Sequence, residues 1–170
     1  MASQIFFVPS VFLAAGPNVR NIFADFLKRI FFFFFLISSA FAQQQGVEQF
    51  QWPTNGKVIQ TFTPINKGIE ISGSLGDPVY AVADGKVIYA GNEVAGFGNL
   101  IIINHGGKFM SSYAHNNQNR VKGGDFVAKG SQIAGIGQTE SESPKLYFRL
   151  STVNGKMTTP VDPLTYLPKR

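Results

Sequence analysis

The pattern of hydrophobic and polar positions divides the chain into an apolar N-terminal part and a longer part with short alternating runs. From Gln51 onward, runs rich in Val, Ile, Tyr and Phe alternate with Gly, Pro and Asn at intervals of roughly 8 to 12 residues, and no helical periodicity is sustained. This spacing predicts an all-β domain, a mostly antiparallel β-sheet sandwich. Strands are expected at Val58–Phe62, Gly68–Ile71, Pro78–Ala81, Gly85–Ala90, Leu100–Asn104, Lys108–Ala114, Gln132–Ile136 and Lys145–Val153, with a hairpin turn at Asn154-Gly155.

The N-terminal part has the features of an export signal. Lys28 and Arg29 precede an apolar run that ends in Ala40-Phe41-Ala42, and three Gln follow. A cationic segment, an apolar segment and a small-x-small site predict a signal peptide cleaved near Ala42. A retained membrane anchor is the alternative, but a span needs about 20 apolar residues and this run is shorter. We therefore expect a leader and signal peptide at 1–42, a flexible lead-in at 43–51 and one domain at 52–168, in the periplasm or cell envelope with no stable membrane anchor after cleavage.

Composition excludes several classes of function. The sequence contains no Cys, which rules out disulfides, thiolate metal sites, cysteine nucleophiles and a lipid-modified cysteine. From Gln43 onward there are 12 basic and 9 acidic residues, a net charge of +3 that favours polyanions without identifying one. Because there is no basic run and no aromatic ladder interleaved with Arg or Lys, we predict no nucleic-acid partner.

Residues that could carry chemistry are few. His105 and His115 are the two histidines, and catalytic zinc needs three protein ligands. A site of both histidines and a carboxylate, Glu70 or Asp84, is arithmetically possible. Ser111 and Ser112 lie near His115, but no Gly-x-Ser-x-Gly elbow is present. The glycines between 91 and 98 have the wrong spacing for a phosphate-binding or dinucleotide-binding loop.

Several stretches in a fixed order resemble one family. The resemblance is carried by Gly68-Ile69-Glu70-Ile71, by residues 78–87 (PVYAVADGKV), by residues 98–105 (GNLIIINH), by Ser112-Tyr113-Ala114-His115, and by residues 121–125, 127–130, 133–137, 146–148 and 161–167. In this order they are similar to the LytM or lysostaphin-type domain of peptidoglycan metallopeptidases. The resemblance covers nearly the whole predicted domain, and it implies a sandwich with an open, LytM-like groove.

The chain departs from the family at the residues that bind metal. Active members use a His and an Asp four residues later, a His-x-His and a Tyr-x-His, whereas this chain has Asn66, Glu70, and Lys145 with Tyr147 at the first three places. Only His115 of the Tyr-x-His remains. An amide and a phenol of pKa about 10 are poor zinc donors at neutral pH, and the Lys145 ammonium repels a cation. The resemblance therefore implies no zinc cofactor, no catalytic residues and no metal-activated hydrolysis.

Metal-free relatives of this domain, the NlpD-like and EnvC-like murein hydrolase activators, bind and activate N-acetylmuramoyl-L-alanine amidases during daughter-cell separation. Asn66-Lys67-Gly68-Ile69 is similar to the NlpD-like group. The resemblance implies a non-catalytic envelope protein whose groove, lined by Asn66, Glu70, His115, Lys145 and Tyr147, binds an amidase segment or peptidoglycan. The alternatives are a zinc-dependent peptidoglycan endopeptidase with an atypical site, such as Glu70 with His115, and a purely structural envelope protein.

Simpler interpretations exist for the same residues. His115 can be retained for packing and hydrogen bonding, Tyr147 can be a core aromatic, and His105 can be a residue at a strand end. Lys145 and Arg149 can form a solvated face. The interpretation that Glu70 has no functional role is nearly as good as the interpretation that it acts in the groove.

Overall fold

The computed structural model describes residues 50–170, which lie within one compact unit spanning Val47–Arg170. This part of the chain folds into ten strands and a 3-10 helix, Pro163–Thr165. The strands are β1 (Val58–Gln60), β2 (Ile69–Ser72), β3 (Pro78–Tyr80), β4 (Gly85–Gly91), β5 (Asn99–His105), β6 (Phe109–Asn119), β7 (Phe126–Val127), β8 (Gln132–Ile136), β9 (Lys145–Asn154) and β10 (Met157–Val161).

All eight strands expected from the pattern are present, and β7 and β10 are additional. The largest difference in bounds is at β6, which continues to Asn119, five residues beyond the expected end. The predicted hairpin joins β9 to β10, but its two turn residues are Gly155 and Lys156, because Asn154 still pairs with Met157. Gly155 has a φ of 60°, which lies in the left-handed region that glycine adopts without steric cost.

Every strand pairing of the sheet is antiparallel, in agreement with the predicted mostly antiparallel sheet. The main path of neighbours is β1-β2-β9-β6-β5-β4-β7, and β8 branches from β6 to pair with β3. Side chains alternate between the two faces of each strand. On β9, Leu146, Phe148 and Leu150 enter the main core, whereas Tyr147 belongs to a smaller cluster with Leu100 and Ala114.

The folded domain extends two residues beyond the predicted 52–168 at each end. Phe50, assigned by its sequence position to the lead-in, is only 2% exposed and packs in the core. Arg170 stacks 3.6 Å from the centre of the Trp52 ring and donates a hydrogen bond of 2.7 Å to the carbonyl of Gly56. The predicted signal peptide and residues 43–49 of the lead-in lie outside the described residues.

Within residues 50–170, no helix is long and apolar enough to span a bilayer.

Candidate binding groove

A cavity of about 310 Å³ opens on the face of the sheet opposite the main core. Strands β2 and β9 form its floor, since Glu70 pairs directly with Tyr147 across the two strands. Two loops and the bulged part of β6 form its sides. The lining residues are Ile65, Asn66, Glu70, Gly96, Phe97, His115, Tyr147 and Arg149.

Asn66 is held by its own loop. Its Oδ1 accepts hydrogen bonds from the backbone N of Thr63 at 2.7 Å and the Thr63 hydroxyl at 3.1 Å, and its Nδ2 donates to the carbonyl of Thr61 at 2.9 Å. The loop then turns through Lys67, which has a φ of 55°. The amide is therefore used to close the loop beside the groove, a role that suits the asparagine side chain.

Tyr147 connects this loop to the floor of the groove. Its hydroxyl donates a hydrogen bond of 2.6 Å to the carbonyl of Asn66. The ring lies so close to Gly68 that a Cβ atom there would come within 2.8 Å of the ring carbon Cζ. Glycine at position 68 thus permits the close approach that holds the tyrosine, and the tyrosine in turn fixes the loop.

Glu70 and Lys145 neutralise one another. The Lys145 ammonium lies 3.0 Å from Glu70 Oε2, and the side chains of the two residues are 20% and 18% exposed. Lys145 lies beside the cavity rather than in its lining, because its cross-strand neighbour is Ser72. The pair gives Glu70 a structural partner.

His115 occupies a strained position at the edge of the groove. The register of β5 against β6 shifts around Leu100, and His115 has a φ of 63°, uncommon for a residue other than glycine. Its Nδ1 lies 2.8 Å from the carbonyl of Thr139. Because a carbonyl only accepts, Nδ1 carries the hydrogen of this contact.

Four lining residues lie outside the set expected from sequence: Ile65, Gly96, Phe97 and Arg149. Arg149 is partly buried and donates to the Tyr147 hydroxyl through Nε at 3.0 Å and Nη2 at 2.8 Å, so it does not lie on a solvated face. Phe97 packs against Tyr147, with 5.8 Å between ring centres. The signal for Arg149 was its position two residues after Tyr147 on one strand, which places both on the same face.

The structure separates the two histidines. His105 is fully buried at the end of β5, where Nδ1 lies 2.7 Å from the carbonyl of Asp84 and Nε2 lies 2.7 Å from the Ser111 hydroxyl. His115 lies in the groove on the other face. The two histidines therefore do not meet at a shared metal site, Ser111 is bonded to the buried His105 rather than to His115, and His105 is the strand-end residue that the simpler interpretation expected.

Comparison with protein families identifies the family of this chain. The sequence model of peptidase family M23 matches residues 64–163, more than half of the chain. The chain belongs to peptidase family M23. It is 46% identical over 127 residues to the murein hydrolase activator NlpD of Escherichia coli, an alignment covering 73% of this chain and 32% of that protein.

Two further similarities place this M23 domain among known proteins. The outer membrane antigenic lipoprotein B of Haemophilus influenzae is 46% identical over 123 residues, covering 71% of this chain and 29% of that protein. A zinc containing peptidase from Vibrio cholerae has a similar structure, with a TM-score of 0.60, 28% identity and coverage of 67% of this chain and 39% of that one. The chain spans about a third of the length of these two curated relatives.

The side chains at positions 66, 70 and 147, here called the former ligand positions, do not fit a zinc ion in this M23 domain. The three positions converge, because Tyr147 contacts Asn66 and pairs with Glu70. Yet the amide closes a loop, the phenol donates its hydrogen to a carbonyl, and the carboxylate is paired with an ammonium. Zinc needs at least three N, O or S donors with available lone pairs. In the part of the chain that the structure describes, no group of three His, Cys, Asp or Glu could hold a metal.

Proposed function

We propose that this domain binds and activates an N-acetylmuramoyl-L-alanine amidase through the groove, without zinc and without hydrolysing peptidoglycan itself. One observation carries the proposal: the groove is open, but the side chains at the former ligand positions are bonded to other groups of the protein, the Asn66 amide to its own loop, the Tyr147 hydroxyl to the Asn66 carbonyl and the Glu70 carboxylate to Lys145. Without a metal-bound water, the hydrolysis of the active M23 peptidases has no nucleophile. Recognition is the chemistry that an open groove with aromatic and charged walls still offers.

The similarity to proteins named murein hydrolase activators supports this proposal. Since the chain spans about a third of the Escherichia coli relative, the activity of that whole protein comes to this chain only as a proposal. Relatives named lipoproteins support an envelope location, with export by the predicted signal peptide. Fractionation of cells should find the protein in the periplasmic or envelope fraction, and recovery from the cytoplasm would contradict this location.

The deciding experiment measures metal content and two activities of the purified chain. By mass spectrometry we expect less than about a tenth of a zinc ion per chain. The chain alone should release no dye from labelled peptidoglycan, and dye should be released when a purified amidase from the same bacterium is added. Stoichiometric zinc with hydrolysis by the chain alone would instead support the endopeptidase with an atypical site, for which Glu70 and His115 line the same cavity.

A pair of matched variants tests whether the groove is the binding surface. Phe97→Ala removes an aromatic wall of the groove, whereas Phe126→Ala removes a ring that is 82% exposed on β7, outside the cavity lining. We expect Phe97→Ala to lower amidase stimulation and Phe126→Ala to leave it unchanged. Equal stimulation by both variants would place the amidase site elsewhere. Binding to purified peptidoglycan, measured by co-sedimentation, would identify a second ligand of the groove.

A further inference from the structure

Arg149 directs two neighbouring N–H groups, the pair with which arginine commonly binds a carboxylate, at a single phenol oxygen. Its Nε and Nη2 donate to the Tyr147 hydroxyl at 3.0 and 2.8 Å. These two N–H groups form the planar fork that matches the two oxygens of a carboxylate. The Tyr147 oxygen accepts both bonds and donates its own hydrogen to the carbonyl of Asn66, so it offers no negative charge. The guanidinium group is therefore held in one orientation, but its positive charge is not neutralised.

No carboxylate of residues 50–170 lies within ion-pairing distance of this guanidinium group. Glu70, the carboxylate in the cavity lining, is 3.0 Å from Lys145 instead. Within the same residues, Nη1 of Arg149 has no hydrogen-bond partner. A guanidinium that has lost part of its hydration is stabilised by an anion held in good hydrogen-bond geometry, which a neutral phenol does not supply. The groove therefore contains an uncompensated positive charge.

Two aromatic rings lie beside the guanidinium group of Arg149. The guanidinium carbon lies 5.5 Å from the centre of the Phe97 ring and 5.6 Å from that of the Tyr147 ring. Ile65, in the lining of the same cavity, is 92% exposed. Contacts with these two rings restrict the orientation of the guanidinium. A ligand that fits has a carboxylate with apolar groups beside it.

We propose that Arg149 is the carboxylate-binding residue of the groove, and that it binds an Asp or Glu side chain from an amphipathic protein segment. Ile65 and Phe97 contact apolar side chains next to that acid. This inference rests on the proposed function, in which the groove receives a segment of an amidase. Peptidoglycan peptides also carry carboxylates, but the exposed Ile65 and the aromatic wall favour a segment with apolar side chains.

The first test measures binding of the full chain to the purified amidase by biolayer interferometry. Arg149→Met removes the charge, and we expect an affinity about 10- to 100-fold lower, the usual effect of losing a charge-assisted hydrogen-bonded pair. Arg149→Lys keeps the charge without the planar fork, and its affinity should fall between those of Arg149→Met and the wild type. Arg120→Met removes an exposed charge outside the cavity lining and should leave affinity within about twofold.

A charge exchange separates recognition from loss of structure. Arg149→Glu should abolish binding of the wild-type amidase, and replacement of one acidic residue in the amidase segment by Lys should restore it. Circular dichroism and a melting curve of each variant verify its fold. Restoration by one amidase variant and by no other would identify the acid that Arg149 binds. No restoration by any of them, with each variant folded, would overturn the inference.

The remaining outcomes distinguish this inference from the proposed function. If the wild type binds the amidase and Arg149→Met binds it equally well, the inference is wrong and the proposed function stands. If the wild type binds no amidase of its bacterium, the proposed function itself is wrong. If Arg149→Met weakens co-sedimentation with peptidoglycan but not amidase binding, the carboxylate belongs to the cell wall, and the protein segment is the wrong ligand.

Discussion

Replacing Lys145 by Met should destabilise the domain, because it leaves the Glu70 carboxylate without its partner. The Lys145 ammonium lies 3.0 Å from Glu70 Oε2, and about four fifths of each side chain is shielded from solvent. The Coulomb energy of two unit charges at this distance is about 1.4 kcal/mol in bulk water and about 5.5 kcal/mol at an effective dielectric constant of 20. Desolvation and lost side-chain entropy offset much of it.

Measured pairs set the expected size of the effect. Exposed ion pairs contribute about 0.2–1 kcal/mol, and breaking a buried pair costs about 3–5 kcal/mol. Since Glu70 and Lys145 lie between these cases, we expect Lys145→Met to lower the free energy of unfolding by about 2 kcal/mol. Glu70→Gln together with Lys145→Met removes both charges, so it should cost less than the sum of the single changes, with a coupling of about 1–2 kcal/mol.

The assay is urea denaturation of the wild type, both single variants and the double variant, at low and at high salt. Lys156→Met, at the exposed turn between β9 and β10, is the matched control and should change stability by less than about 0.5 kcal/mol. Salt should reduce the coupling only slightly, because a shielded pair is weakly screened. A coupling below about 0.3 kcal/mol at low salt would refute the interpretation that Lys145 neutralises Glu70.

Three further outcomes are expected. The triple variant N66H/E70D/Y147H, which supplies ring nitrogens and an aspartate at the former ligand positions, should bind about one zinc per chain by mass spectrometry, whereas stoichiometric zinc in the wild type would contradict the assignment. Gly68→Ala should lower the free energy of unfolding by about 1–3 kcal/mol in urea, since its Cβ would lie 2.7 Å from the carbonyl oxygen of Phe148 and 2.8 Å from the ring of the tyrosine at position 147; unchanged stability would show that the backbone and the ring can both shift. Burial raises the pKa of Tyr113 above its usual value of about 10, so the unfolded chain loses this proton first and stability should fall as pH rises through about 10. Denaturation from pH 8 to 11 measures this loss, which Tyr113→Phe should remove.

The strands that build the sheet could be predicted because each buries alternate side chains on one face. Ile69 and Ile71 on β2 are fully buried, and Glu70 between them faces the groove. The two additional strands lack this signal. β7 has two residues, and β10 is an edge strand whose first three residues are exposed and whose Pro160 is half-buried, so their pairing comes from neighbouring strands rather than from their own hydrophobic pattern.

The candidate site could be predicted only in part, for a different reason. The family resemblance gave the positions of Asn66, Glu70 and Tyr147, and the strand register of β2 with β9 explains why two of them meet. Alternation also places Tyr147 and Arg149 on one face of β9, but it does not say whether that face meets solvent or a groove. The answer depends on the loop that brings Phe97 beside Tyr147, and loop positions leave no periodic signal in a sequence.

Contacts between side chains in and beside the groove connect the loop and the strands that carry the former ligand positions. In a zinc site, the ion joins a loop residue to two strand residues by direct bonds. Here the Tyr147 hydroxyl joins the loop at Asn66 to β9, and the Lys145 ammonium joins β9 to β2 at Glu70. These two contacts connect the same loop and the same two strands that an ion would connect. Of the cations at this site, Lys145 is neutralised by Glu70, whereas Arg149 is held in place by a neutral oxygen. Its charge therefore remains available to a ligand.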